Sequence, residues 1–87
     1  MKNRSAFEGS LHGPKISSVW RALRGGRTVS IAALAAAAGI DSEGLTAREV
    51  QMRVGGYLSV LNSRLDNYGT GARIAPGTPR GTYRLFS

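Results

Sequence analysis

The chain has 87 residues and a formal net charge of +7, because ten arginines and two lysines outnumber five acidic residues. This length supports a single domain, and a hydrophobic content of 41% is enough for a core. The absence of cysteine excludes disulfides and thiolate metal sites, and a single histidine argues against a Ser-His-Asp triad or a histidine-ligated metal. We therefore expect a cytoplasmic basic domain with an anionic partner, no catalytic residues, no cofactor and no metal.

The positive charge is concentrated at the two ends of the chain. Residues 1–27 contain six basic side chains and one acidic side chain, and residues 67–87 contain three arginines and no acid. The segment between them is nearly neutral. No apolar run approaches the ~20 residues that a membrane-spanning helix needs. An uneven distribution of this kind predicts a surface with one basic side.

The first 15 residues are polar and carry Lys2, Arg4 and Lys15 with no sustained hydrophobic period. We interpret residues 1–15 as a flexible basic leader and residues 16–87 as the folded domain. The first helix of that domain is predicted from an apolar stripe at helical spacing. Ser17 is its expected N-cap, and the glycines at positions 25 and 26 end it. The stripe consists of Ile16, Val19, Trp20 and Leu23.

Residues 27–29 predict a short extended segment before a second helix over residues 31–38. Ser30 is a suitable N-cap for that helix, whose residues are strong helix formers. Gly39 fits the left-handed position that follows a helix C-terminus, and Ile40 supplies the apolar contact that often accompanies it.

The sharpest local signal is the sequence Thr46-Ala-Arg-Glu49, which matches a capping box. It opens a long helix that should end near Asn67 and bury one apolar stripe. Gly55-Gly56 interrupts this helix, because glycine is a poor helix former. The pair indicates a kink, a helix that truly starts near Gly55, or a place where the helix backbone comes close to a binding partner. The stripe consists of Val50, Val54, Tyr57, Leu58, Leu61 and Leu65.

The last segment changes to the two-residue period of strands. Residues 72–75 and 82–86 predict a β-hairpin, joined by a loop rich in proline and glycine over residues 76–81. The predicted order is therefore helix, short strand, helix, helix, hairpin, which defines an α+β fold.

In this order the sequence resembles the winged helix-turn-helix superfamily of DNA-binding domains over about residues 16–86. The residues that carry the resemblance are Ile31-Ala-Ala-Leu-Ala-Ala-Ala-Ala-Gly39-Ile40, Tyr57-Leu-Ser-Val-Leu-Asn-Ser-Arg-Leu65 and Gly81-Thr-Tyr-Arg-Leu85. The resemblance implies three helices with a C-terminal β-hairpin wing. It also implies that the long third helix enters the major groove of double-stranded DNA and that the wing contacts the backbone or the minor groove. The connection from Gly39 to Thr46 is longer than the simplest helix-turn-helix turn.

Side chains opposite the apolar stripe of the third helix are candidates to read bases. Arginine can pair with guanine, glutamine or asparagine with adenine, and methionine can touch the thymine methyl group. A solvated helix face is the structural alternative for the same polar residues. Asn62 lies on the flank of this face. The predicted DNA-binding residues are Arg27, Arg48, Gln51, Met52, Arg53, Gly55, Ser59, Arg73 and Arg80.

The resulting hypothesis is a small double-stranded DNA-binding protein, either a transcriptional regulator or a nucleoid-associated protein. The rival hypothesis uses the same fold as a protein-interaction module, whose charge would match an acidic partner such as a transcription-machinery subunit. A third possibility is an RNA- or ribosome-associated domain. No segment of the sequence indicates an oligomer interface.

Overall fold

The computed structural model describes residues 3–87, and Met1 and Lys2 of the predicted leader lie outside the described residues. The described part is an α+β domain with four helices and one three-stranded antiparallel sheet. Its helices are α1 (Arg4–Gly9), α2 (Pro14–Leu23), α3 (Ile31–Ala37) and α4 (Ala47–Asn67). Its strands are β1 (Val29–Ser30), β2 (Arg73–Pro76) and β3 (Thr82–Phe86).

The additional helix, α1, corrects the interpretation of residues 1–15 as a leader outside the domain. Phe7 of α1 is fully buried, and its ring packs edge-on against Trp20 with the centroids 4.7 Å apart. Glu8 accepts a hydrogen bond from the Trp20 indole Nε1–H at 2.6 Å. Burial of the Phe7 ring and the Glu8–Trp20 hydrogen bond offset part of the chain entropy that this short helix loses, and they attach the segment to the core.

Helix α2 begins at Pro14 and not near Ile16 as predicted. Gly13 occupies the N-cap position and Ser17 lies inside the helix, so the predicted Ser17 cap is wrong. Proline is well suited to the first helical position because its fixed φ angle matches a helix and no N–H is needed there. The predicted apolar stripe is confirmed, with Val19, Trp20 and Leu23 buried.

Local capping signals set the starts of the next two helices as the sequence predicts. Ser30 accepts a hydrogen bond from Ala33 N–H at 3.1 Å at the start of α3. Thr46 and Glu49 form the complete capping box of α4, with N–H···O distances of 3.1 and 3.0 Å. Gly39 adopts the expected positive φ of 68°, which only glycine enters without strain.

Helix α4 runs without interruption through Gly55 and Gly56. The predicted alternative in which it starts near Gly55 is therefore wrong. Its apolar stripe faces the core, with Tyr57 half-buried at the margin. The buried members of the stripe are Val50, Val54, Leu58, Leu61 and Leu65.

The sheet places β3 between β1 and β2. Val29 of β1 pairs with Tyr83, and Ile74 of β2 pairs with Leu85. Ile74 and Leu85 are buried and complete the core, whereas their neighbours Arg73, Arg84 and Phe86 are exposed. The predicted hairpin is confirmed with β2 shifted by one residue, and the predicted extended segment pairs through Val29–Ser30.

Candidate nucleic-acid interface

The nine residues predicted to contact DNA lie at the surface. Met52 is the most exposed large apolar side chain described, with 68% of its surface accessible. Gly55 is half-buried against its own helix. The others are exposed: Arg27, Arg48, Gln51, Arg53, Ser59, Arg73 and Arg80. Exposure alone does not distinguish a binding face from a solvated one. An arginine that has no hydrogen-bond or salt-bridge partner within the fold, however, is available to an external anion.

The ten arginines divide into two groups according to their partners among residues 3–87. Five form a hydrogen bond or a salt bridge within the fold: Arg4, Arg21, Arg24, Arg64 and Arg84. The other five have no such partner in the described structure: Arg27, Arg48, Arg53, Arg73 and Arg80. The second group contains the same five arginines that the sequence assigned to DNA. Their guanidinium groups are free to bind an external anion.

The capping box fixes the first turns of α4, from which Arg48, Gln51 and Met52 project. Hydrogen bonds from the Thr46 backbone N–H and hydroxyl lower the pKa of the Glu49 carboxyl, and the charge of Arg53 one turn later lowers it further. Glu49 is therefore ionised at neutral pH, and its carboxylate accepts a hydrogen bond from the Thr46 backbone N–H at the start of the helix. The remaining side chains of these turns are left for external contacts.

A shallow groove joins the starts of α3 and α4 to the loop between β2 and β3, residues 77–81. It has a volume of about 670 Å³, and Ser30, Gln51 and Gly81 lie along it. The loop is held in place because Ile31 N–H donates to Gly81 O at 3.0 Å. Arg80 immediately precedes Gly81, which borders this groove together with Gln51 of α4.

Arg27 lies beside the same loop on its other flank. It borders a second groove of about 630 Å³ together with Thr78, Pro79 and Thr82. Arg27 and Gln51 thus each border a groove that reaches the loop of residues 77–81.

Arg73 lies apart from this group. It pairs with Phe86 at the base of the hairpin, three residues before Pro76. At a rise of about 3.3 Å per residue, the base of the hairpin is about 10 Å from the end where the loop begins. The sequence predicts that both Arg73 and Arg80 bind DNA, and the structure places them at opposite ends of the hairpin.

Asn62 is not available as a flanking base-reading residue. Its side-chain Oδ1 accepts from Ile74 N–H at 2.7 Å, and its Nδ2 donates to Ile74 O at 2.9 Å. The amide therefore joins α4 to β2. No local sequence signal distinguishes this asparagine from a solvated one, because its partner lies in a different element.

The two glycines of α4 have open space beside them. A Cβ atom built on Gly55 or Gly56 would meet nothing within 4 Å in the chain. Packing inside the domain thus does not require glycine at either position.

Among residues 3–87, no group of three or more His, Asp or Glu side chains is arranged to hold a metal ion. In the same range, none of the helices combines the length and apolarity required to cross a bilayer. Comparison of the chain with protein-family models, with curated proteins and with solved structures gave no match.

Proposed function

We propose that this protein binds double-stranded DNA as a winged-helix domain. The order α2, β1, α3, α4, β2, β3 and the central position of β3 suit that architecture, with α1 as an addition at the N-terminal side. In this reading α4 is the recognition helix and residues 77–81 form the tip of the wing.

One observation supports the proposal: Gln51 of α4 and Gly81 of the wing border a single groove. Arg48 and Arg80 each adjoin a residue of its lining in the sequence, and neither has a hydrogen-bond or salt-bridge partner among residues 3–87. A duplex presents base edges in the major groove and phosphates beside it, which matches a polar helix face flanked by guanidinium groups. An ordinary solvated helix face requires no arginine-bearing loop beside it.

The recognition helix supplies the base contacts. Arg48 suits guanine and Gln51 suits adenine, because each side chain can form two parallel hydrogen bonds with that base. Met52 offers its exposed thioether to a thymine methyl group. Gly55 and Ser59 continue the face with small side chains, which lets the helix backbone approach the bases.

The wing and the strand before α3 supply the phosphate contacts. Arg80 suits the backbone or a narrow minor groove, whose negative potential attracts arginine. Arg27 and Arg53 lie on either side of the base-reading face and suit the flanking phosphates. Action as a transcriptional regulator or as a nucleoid-associated protein is part of the same proposal.

A salt series of duplex binding tests this function. If four phosphates are contacted, log K should fall with log[salt] with a slope of about −3 to −4. Sequence selection from a random duplex pool then reports whether bases are read. Absence of duplex binding at low salt would refute the proposal.

Single substitutions separate the two roles. Arg80→Ala should weaken binding to all sequences alike and reduce the slope by about one, whereas Arg48→Ala or Gln51→Ala should change the selected sequence. Arg21→Ala is the matched control, because it removes the same charge from α2, away from the groove. Equal effects of all four substitutions would show that α4 does not read bases.

A second candidate function is binding of an acidic protein partner through the same face. The observation that favours it is the largely apolar lining of the groove, which contains no charged residue and suits an apolar segment of the partner. The acidic groups of that partner would lie against the arginines outside the groove. Its apolar members include Ile31, Ala35, Ile40, Leu45 and Val50. Under this alternative, substitutions of Ile31 or Leu45 would abolish partner binding and leave duplex affinity unchanged.

A further inference from the structure

A second basic surface lies at the base of the hairpin, and we call Arg73, Arg84 and Phe86 the hairpin-base patch. Arg73 pairs directly with Phe86 across the two strands. The Arg84 guanidinium carbon lies 5.3 Å from the centroid of the Phe86 ring. Phe86 keeps 43% of its surface exposed, so part of its ring is accessible to a ligand.

Arg84 is held in position by the turn between α2 and β1. Its Nε–H donates to Gly26 O at 2.9 Å, while Arg4 Nη2 donates to Arg24 O of the same turn at 2.8 Å. Two guanidinium groups are therefore fixed against neighbouring carbonyls of one turn, and Arg73 is added from β2. Within the patch, this preorganisation lowers the entropy that the Arg84 side chain would lose on binding a ligand.

The charge of this region is predominantly positive. Glu8 forms a salt bridge with Arg24 at 3.6 Å and also accepts the hydrogen bond of the Trp20 indole. The negative charge of Glu8 is therefore engaged within the fold. Asp66 borders a groove with Arg73 but forms no salt bridge among residues 3–87. An anionic ligand fits such a surface, since like charges held close together repel in its absence.

We propose that the hairpin-base patch binds a single strand of nucleic acid, with a base stacked on Phe86 and the adjoining phosphates on Arg73 and Arg84. The bond to Gly26 uses only the Nε–H of Arg84, so its Nη groups remain for a phosphate. The exposed Phe86 ring distinguishes between three kinds of polyanion: a duplex, an acidic peptide and a single strand. In a duplex the base faces are covered by their neighbours, and an acidic peptide offers carboxylates with no ring to stack. A single strand presents both a planar base and a phosphate at each step.

This surface is distinct from the duplex-binding face proposed above. The length of β2 separates it from the wing tip, and neither Arg84 nor Phe86 borders the groove between α3 and α4. The two surfaces can therefore be tested independently, and the failure of one proposal leaves the other intact.

Fluorescence anisotropy of the full chain with labelled (dT)12 tests the inference, with a mixed-sequence 12-base-pair duplex measured in parallel. Phe86→Ala should weaken (dT)12 binding about tenfold, as expected for one lost stacked base, and should change duplex affinity less than twofold. Val60→Ala is the matched control, because Val60 is an exposed apolar residue of similar accessibility, 44%, on α4. Phe86→Trp should retain or strengthen (dT)12 binding.

Phe86→Leu separates stacking from strand stability, because it keeps an apolar side chain on β3 and removes the ring. It should fold with the melting temperature of the unaltered protein to within a few degrees and still lose about tenfold in (dT)12 affinity. A variant that retains (dT)12 affinity would overturn the proposal.

Charge substitutions assign the phosphates. Arg73→Gln should weaken (dT)12 binding and reduce its salt slope by about 0.7, the value for one phosphate of a single strand, while Arg53→Gln should act on the duplex. If Phe86→Ala reduced the affinities for (dT)12 and for the duplex equally, the claim that the two ligands bind separate surfaces would be overturned. Equally effective competition by a 12-residue polyglutamate would overturn a nucleic-acid ligand in favour of an acidic protein.

Discussion

The side-chain amide of Asn62 hydrogen-bonds both backbone groups of Ile74, accepting from its N–H at 2.7 Å and donating to its carbonyl at 2.9 Å. A neighbouring strand would make the same pair of bonds. Asn62 thus takes the place of a strand at one residue of β2, which is an edge of the sheet. An edge strand whose backbone groups are satisfied in this way is protected from pairing with another chain.

Removal of this amide should destabilise the hairpin. Asn62→Leu leaves the Ile74 N–H and carbonyl without partners, and we expect a loss of about 2 kcal/mol in the free energy of unfolding. Urea denaturation measures the loss, and hydrogen exchange at the Ile74 amide should accelerate. Ser63→Ala, at the next and exposed position of α4, is the control. An unchanged exchange rate in Asn62→Leu would contradict the assigned role.

Phe7 should contribute as much stability as a residue from the centre of the domain. Its ring is fully buried between Trp20 and Tyr68, with centroid distances of 4.7 and 6.5 Å. Phe7→Ala should therefore cost about 3 kcal/mol in the free energy of unfolding, the usual range for a buried aromatic residue. Trp20 fluorescence should also shift to longer wavelength in the folded variant. A loss below about 0.5 kcal/mol would restore the interpretation of residues 1–15 as a leader.

Gly55→Ala should stabilise the isolated protein. Alanine is favoured over glycine in a helix by about 1 kcal/mol, and the new Cβ meets no atom within 4 Å. Under the proposed function the same methyl group lies between α4 and DNA, so duplex affinity should fall as thermal stability rises. Gly39→Ala is the matched control and should destabilise by about 1 kcal/mol, because its φ of 68° is strained for alanine. A Gly55→Ala variant with unchanged duplex affinity would remove this position from the interface.

The Glu49 charge should make stability depend on acid pH. Hydrogen bonds from Thr46 lower the pKa of this carboxyl below its usual 4.5 in the folded state, with a smaller contribution from Arg53. The stabilisation is therefore complete above pH 4.5 and is lost as the pH falls through the lower folded-state pKa. Glu49→Gln keeps an oxygen for the Thr46 N–H and removes the charge.

Thermal unfolding from pH 7 to pH 3 checks this expectation. The difference in melting temperature between the unaltered protein and Glu49→Gln should shrink steadily below pH 4.5. Thr46→Val, which removes the capping hydroxyl, should cost about 1 kcal/mol at neutral pH. A pH-independent difference for Glu49→Gln would show that the charge contributes nothing.

Features that depend on residues close in the sequence were predictable. The capping box of Thr46 and Glu49 lies within four residues, and Ser30 caps a helix that begins at the next position. The apolar stripe of α4 repeats at helical spacing along one continuous segment, so its buried face was also readable. Neither feature needs knowledge of how distant elements pack.

Features that depend on distant partners were missed. Helix α1 has six residues and no side-chain cap, and it is held by the contacts of Phe7 with Trp20 and Tyr68 far along the chain. Asn62 and Arg84 likewise have partners 12 and 58 residues away. A polar side chain whose partner lies in another element has the same local pattern as a solvated one, so the sequence did not reveal these roles.

The position of β3 between β1 and β2 has a consequence for the order in which the domain forms. β3 is the last element of the chain, yet each of the other strands pairs with it and with no other strand in the described structure. During synthesis, Val29–Ser30 must therefore wait for more than fifty residues to emerge before it can pair. Proteolytic removal of Thr82–Phe86 would for the same reason abolish every strand pairing at once, while the helices could still collapse around their shared core.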